Sequence, residues 1–255
     1  MATDWVEANG IQLRYELCRG PGQPLVLIHE MGGALESWDA VMAPLAARRT
    51  VLRYDQRGVG LSEKPPGPVT VEQLADDLAA LLDALGMIAP VAVVGTAVGA
   101  AVAAAFAARH PARTEALLLL APAFDLKGDR RALALRRIEA IERDGMRAAF
   151  ATIASDAPHR FAVLRLAADP EGLCAIWRML VDLDMTPLLG RIACPTLVVS
   201  ATRDTARPPA YVAEIAGRIP GARAAAIDST HYMAIETPEL VVETISRFLD
   251  AVGFA

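Results

Sequence analysis

The chain has 255 residues, a formal net charge of −5 and 54% apolar residues. That length fits one large domain, or a domain with an insertion, whose core needs no disulfide or metal to hold it. The mildly acidic balance, with no basic block, argues against a nucleic-acid partner. Cys18, Cys174 and Cys194 are too scattered to form a metal-ligand pair or a disulfide framework.

In chain order, the acidic start Met1-Ala-Thr-Asp-Trp-Val-Glu7 lacks the basic opening and apolar run of a signal peptide. Leu25–Ile28 and Thr50–Tyr54 read as buried strands. Thr70-Val-Glu-Gln73 is a capping box. It opens a helix with Leu74, Leu78, Leu81, Leu82 and Leu85 on one face, ending at Gly86. The apolar run Val91–Ala108 is broken by Gly95 and Gly99, so it divides into a strand at Val91–Val94 and a helix at Val98–Arg109 instead of a membrane span. Leu117–Leu120 and Thr196–Val199 are further strand runs. Strands alternating with helices predict an α/β fold with a mostly parallel central sheet flanked by helices. From Phe124 to Arg191 no strand is evident. The stretch reads as an inserted helical lid (124–191) on a core of residues 1–123 and 192–255, placed where open parallel sheets bind ligands. The expectation is a cytoplasmic protein with no membrane partner, no metal and no cofactor, acting on a small molecule in one buried site.

The turn Gly95-Thr-Ala-Val-Gly99 carries the first chemical signal. A sharp strand-to-helix turn needs residues without side chains where strand and helix touch, and it pushes the residue between the glycines outward. In Gly-x-Ser-x-Gly that residue is a nucleophilic serine; here it is Ala97. A phosphate-binding loop fits poorly, for lack of Gly-x-Gly-x-x-Gly or a Lys-Ser/Thr pair. Four more segments accompany the turn: Leu25-Val-Leu-Ile-His-Glu-Met-Gly-Gly33, Tyr54-Asp-Gln-Arg-Gly-Val-Gly-Leu-Ser62, Asp204 after the strand at Leu197–Ser200, and Ser229-Thr-His-Tyr-Met-Ala-Ile-Glu-Thr-Pro238. Together, in this order, they resemble the α/β-hydrolase superfamily, in particular sequences of the 3-oxoadipate enol-lactonase and aminoacrylate hydrolase type.

The resemblance implies an α/β-hydrolase fold, with His231 as general base and Asp204 as its orienting acid. Imidazole takes and returns a proton near neutral pH, and a carboxylate on its other nitrogen fixes the tautomer. Asp125 and Asp228 are less suited to that place. The resemblance also implies an oxyanion hole made by the amides of Met31 and Val98. Glu30 stands where such sequences usually have glycine. It either turns outward to pair on the surface or serves as a second acid, base or substrate contact. The Asp55–Ser62 turn is read as structural, Trp5 and Trp38 as packing residues, and Trp177 as a residue that could face the pocket.

Ala97 offers no nucleophile, so an acyl-enzyme cannot form there. Three readings stay open. One is an inactive serine-to-alanine variant of a serine hydrolase acting on an ester or lactone. In the second, the alanine is functional: His231 and Asp204 activate water directly, or the site decarboxylates a 3-oxo acid by holding an enolate. The third is a non-catalytic ligand binder. Arg130, Arg131, Arg136, Arg137, Arg160 and Arg165 of the insertion could favour a carboxylate-bearing substrate, although helix-borne arginines are commonly solvated.

Overall fold

A computed structural model describes residues 3–126, 128–151 and 157–254. Met1 and Ala2 of the acidic start, and residues 127 and 152–156 of the insertion, lie outside the described residues. The strands are β1 (Thr3–Ala8), β2 (Ile11–Cys18), β3 (Leu25–Ile28), β4 (Val51–Tyr54), β5 (Val91–Thr96), β6 (Thr114–Leu120), β7 (Thr196–Ala201) and β8 (Arg223–Ile227). The helices of the first half are α1 (Asp39–Ala46), α2 (Val71–Ala84) and α3 (Val98–Arg109). Between β6 and β7 come α4 (Asp129–Asp144), α5 (Met146–Ala151), α6 (His159–Ala167), α7 (Pro170–Asp182) and α8 (Thr186–Leu189). The chain closes with α9 (Pro209–Gly217), α10 (Met233–Glu236) and α11 (Pro238–Ala251).

The strands form one sheet in the order β1-β2-β4-β3-β5-β6-β7-β8. The β1–β2 and β2–β4 pairs are antiparallel and all the others are parallel. The central strands are apolar at nearly every position because both faces of a parallel sheet are covered. Two apolar clusters result. One packs Val26, Val93 and Leu119 against α2, α3 and the helices between β6 and β7. The other packs Leu27, Val94, Leu118 and Val199 against α1, α10 and α11.

The alternation of apolar runs locates β3 to β7 but not β1, β2 or β8. Strands β1 and β2 turn at Asn9-Gly10, both with positive φ, the pair a two-residue hairpin turn requires. The β8 run Arg223-Ala-Ala-Ala-Ile227 is an edge strand, largely exposed, with three alanines and a single branched residue, Ile227, too few to mark it. At Thr70 the capping hydroxyl accepts from the Gln73 amide (3.1 Å), and α2 ends before Gly86 (φ +67°), as the sequence predicts.

The strand order reverses beside β3. From β3 the chain passes to β4 on one side, then returns to place β5 on the other, with Ile28 paired to Gly95. The loops leaving β3 and β5 diverge at that point and open a crevice at the carboxyl edge of the sheet. Strands β6 and β7 end level with it, in the registers Thr96–Leu120 and Leu120–Val199. No helix among the described residues is long and apolar enough to cross a membrane.

Candidate active site

The turn after β5 is forced by close packing. A Cβ at Gly95 would lie 2.2 Å from the Gly99 carbonyl oxygen, and one at Gly99 would lie 2.4 Å from the carbonyl oxygens of Ile28 and His29. Only glycines let α3 start this close behind β5 and β3. Between them Ala97 takes φ +50° and ψ −111°, a left-handed geometry that costs an L-residue about 1–3 kcal/mol. Its amide donates to the Leu120 carbonyl (2.9 Å), and its carbonyl accepts from the amides of Ala123 (3.0 Å) and Ala100 (3.2 Å), which hold the turn in place. The methyl group of Ala97 lines a cavity of about 310 Å³ that also includes Met31, Val98 and His231.

The loop after β3 forms the facing wall. His29 is fully buried, accepts at Nε2 from the Gln56 amide (3.2 Å) and donates from Nδ1 to the Glu30 carbonyl (2.8 Å). That Glu30 carbonyl also accepts from the Gly33 amide (3.1 Å), so Met31 and Gly32 are held in a tight turn. Neither the Met31 nor the Val98 backbone N–H donates to another group among the described residues. Val98 opens α3, so its amide stands at the positive end of the helix dipole.

Glu30 is not the surface residue that one of its two readings expects. It is 8% exposed, and its Oε1 accepts from the Ser37 hydroxyl at 2.7 Å. The carboxylate curls over Gly33, where a Cβ would sit 2.2 Å from Oε1, so the path inward is open only because residue 33 is glycine. Glu30 also lines the cavity.

His231, in the loop between β8 and α10, points Nδ1 at Asp204 Oδ2 (2.7 Å). Asp204 follows β7 and is 4% exposed, and its Oδ1 accepts from the amides of Ala206 (2.7 Å) and Arg207 (2.9 Å). Burial by itself pushes this carboxyl up, but the His231 contact and the two amides outweigh it and hold the group below the usual carboxylate range. The other two aspartates are engaged elsewhere. Asp125 accepts from the Tyr211 hydroxyl (3.3 Å), while Asp228 is exposed and meets Thr202 (3.2 Å) and Arg203 (3.6 Å).

Asp55 sits under the loop as a framing residue: it accepts from the amides of Leu35 (2.7 Å) and Leu61 (2.8 Å) and pairs with Arg14 (3.1 Å). Trp38 is fully buried, whereas Trp5 is half exposed, its indole N–H donating to the Leu61 carbonyl at 3.0 Å. Trp177 lines the cavity, with the Arg137 guanidinium 5.7 Å from its ring centre.

The helices between β6 and β7 supply the rest of the cavity wall. Phe161 of α6 meets the Tyr232 ring at 4.7 Å, next to His231. Arg160 of the same helix pairs with Asp39 at the start of α1, and Arg130 of α4 donates to the carbonyls of Thr205 and Ala206 beside Asp204. Arg165 and Arg207 also line the cavity. The run of small and charged residues in α4 and α6 gave no sequence signal for which of its arginines turn inward. A larger groove, of about 760 Å³, lies between the start of α2 and α7, but it contains neither Ala97 nor His231.

The alpha/beta hydrolase fold family profile matches residues 23–139. The enol-lactonase of Burkholderia xenovorans superposes with a TM-score of 0.89 at 30% identity, over 97% of this chain and 100% of that one. The 3-oxoadipate enol-lactonase 2 of Acinetobacter baylyi is 25% identical over 251 residues, covering 92% of each chain. A putative carbamate hydrolase, RutD, of Azorhizobium caulinodans is 31% identical over 116 residues, which is 46% of this chain and 43% of that relative. With the reversal of strand order beside β3, the strained turn at Ala97 and this full-length likeness, the chain belongs to the alpha/beta hydrolase fold family.

Proposed function

We propose that the protein hydrolyses a small carbonyl-containing metabolite (an ester, lactone, carbamate or enamine) with water that His231 activates directly. The carrying observation is that His231, bonded to Asp204, and an alanine at the elbow line one cavity. Asp204 accepts from the Nδ1 proton of His231, which leaves Nε2 as the base. Nε2 takes a proton from water, and the hydroxide adds to the substrate carbonyl or, in an enamine, to its iminium tautomer. The resulting oxyanion of a carbonyl substrate accepts from the amides of Met31 and Val98. Collapse expels the alcohol, enol or amine, which receives the proton from the imidazolium. No acyl-enzyme forms, because the Ala97 methyl carries no oxygen. Helices α4–α8 act as the lid that keeps bulk water out. The enol-lactonase and carbamate hydrolase relatives fit this range of substrates.

The test is hydrolysis of a panel of nitrophenyl esters, lactones, carbamates and enamines by the parent, His231→Ala and Ala97→Ser proteins, with intact mass read after acid quench. Turnover should vanish in His231→Ala at unchanged thermal stability, and only Ala97→Ser should accumulate an acyl adduct. Hydrolysis that persists in His231→Ala, or a parent inert to the whole panel, overturns the reading. The same alanine is compatible with decarboxylation of a 3-oxo acid, since an enolate needs the oxyanion amides and a proton but no nucleophile. Release of carbon dioxide without hydrolysis would mark that chemistry.

A further inference from the structure

Arg165 of α6 lines the cavity, and the hydrolytic step leaves its placement unexplained. It is 9% exposed, yet its Nε and Nη1 have no hydrogen-bond partner among the described residues. Its guanidinium lies 5.5 Å from the Phe161 ring centre and against Gly32, where a Cβ would fall 2.2 Å from Nη1. Gly32 follows Met31, so the cation is seated on the very loop that presents the Met31 amide. Glu30, whose carboxylate acts on it, has Oε1 already engaged by Ser37. Burial, with the Arg137 charge beside it, lowers the guanidinium from its ordinary value to about 10, against the opposing pull of Tyr232 and Glu30.

An arginine in such a position is expensive unless something pairs with it. Its surroundings favour an anion. Arg207, 6% exposed with Nε unpartnered, and Arg137 over Trp177 line the same cavity. Guanidinium and carboxylate match in plane and spacing, and charge-assisted pairs between them are strong where water is excluded.

We propose that Arg165 is the carboxylate-binding residue of this cavity, so that the substrate is a short acid carrying its carboxylate within a few bonds of the reacting carbonyl. The inference rests on the hydrolytic reading above for the words "reacting carbonyl", and on the cavity alone for the anion. Seated against Gly32, the cation holds the carboxylate beside the oxyanion loop, which excludes long-chain acids whose charge would lie outside the lid.

Two measurements separate the two ideas. The first compares kcat/KM for the nitrophenyl monoester of succinate with that for the nitrophenyl ester of butyrate, in the parent and in Arg165→Met. Arg165→Met should lose roughly 10-fold to 150-fold on the succinate ester, the scale of one buried charged hydrogen bond, and only a few-fold on the neutral one. An equal loss on both esters, or a parent that does not prefer the succinate ester, overturns the proposal. The second titrates succinate, dimethyl succinate and inorganic phosphate into the parent and Arg165→Met, read by calorimetry and thermal shift. Succinate should bind and stabilise only the parent; phosphate binding as tightly, or succinate binding undiminished in Arg165→Met, overturns it. If Arg165→Met does not fold, Arg165→Gln replaces it, neutral but polar, with the same outcomes read. Succinate binding without hydrolysis of any ester keeps the anion site and removes the hydrolytic reading. Hydrolysis without carboxylate preference does the reverse.

Discussion

Replacing Asp204 by asparagine changes the site at one atom. Oδ1 accepts from the amides of Ala206 (2.7 Å) and Arg207 (2.9 Å), and an asparagine carbonyl keeps both. The NH₂ then takes the place of Oδ2, 2.7 Å from His231 Nδ1. The opposite amide orientation would aim two donors at two donors, so it is disfavoured. An NH₂ facing Nδ1 moves the ring proton to Nε2, the atom that takes a proton from water in the proposed step. The variant thus holds the geometry and loses the base, and it also loses the charge that stabilises the imidazolium. For a base oriented in this way the loss in kcat is about 10⁴-fold, or about 5 kcal/mol in the barrier. Stability should change far less. One charge-assisted bond worth about 1.5–3 kcal/mol is lost, while the burial cost of the charge is relieved. At about 2–4 °C per kcal/mol for a chain of this class, a fall of a few degrees in Tm follows. The pH dependence has a definite sign. Asp204 is held below the ordinary carboxylate range, so its stabilisation is complete above the unfolded value and is lost as pH falls through the folded one, in a window below about pH 4. Asp204→Asn should therefore remove one component of acid unfolding in the parent. The assay is ester or lactone hydrolysis at pH 7 beside thermal melts from pH 3 to 7. Activity within about tenfold of the parent, at unchanged Tm, would show that Asp204 does not orient the base.

Two further predictions concern the elbow backbone. Gly99→Ala places a methyl 2.4 Å from the carbonyl oxygens of Ile28 and His29, which are strand and loop backbone and cannot turn aside. A loss of at least about 1–3 kcal/mol is expected, seen as a lower midpoint in denaturant, and activity should fall with it as the Met31 loop is displaced. Ala97→Gly removes a buried methyl from a residue at φ +50°. Relief of about 1–3 kcal/mol of strain offsets the methyl and the added chain entropy, so the midpoint should stay level or rise. A loss above about 1 kcal/mol would mean that the turn is not strained.

What the sequence disclosed follows the physics of each segment. Strands β3 to β7 are buried on both faces and announce themselves as unbroken apolar runs, and Gly95 and Gly99 announce a turn because no other residue fits. Edge strands carry no such pressure: β8 is alanine-rich and exposed, and β1 reads as a polar segment. His231 and Asp204 were legible as a pair through the resemblance, which rests on an aspartate after the strand at Leu197–Ser200 and on the segment Ser229–Pro238. Which arginines turn inward was not. Arg160 and Arg165 lie five residues apart on α6, the first pairing outside with Asp39, the second buried in the cavity. The helix phase that separates them depends on packing against Gly32 and Tyr232, which are distant in sequence. Glu30 was illegible for the same reason, since its inward turn depends on the absent side chain of Gly33.

The strain at Ala97 bears on what the elbow is for. In a serine hydrolase the left-handed turn exposes an oxygen nucleophile, and its cost is explained by that oxygen. Here the same φ and ψ persist with only a methyl to expose. A relaxed backbone would be cheaper by about 1–3 kcal/mol if exposure of residue 97 were its sole purpose. The turn does something else as well. It ends β5 against Leu120 and Ala123 and starts α3 within one residue, so that the Val98 amide meets the cavity free, at the positive end of a buried 12-residue helix. The glycine contacts that force the turn also fix the Ile28–His29 backbone, and through it the loop that carries Met31. One strained residue thereby sets the relative position of the Met31 and Val98 amides. That task is independent of a nucleophile, and it accounts for an elbow that keeps its geometry around an alanine.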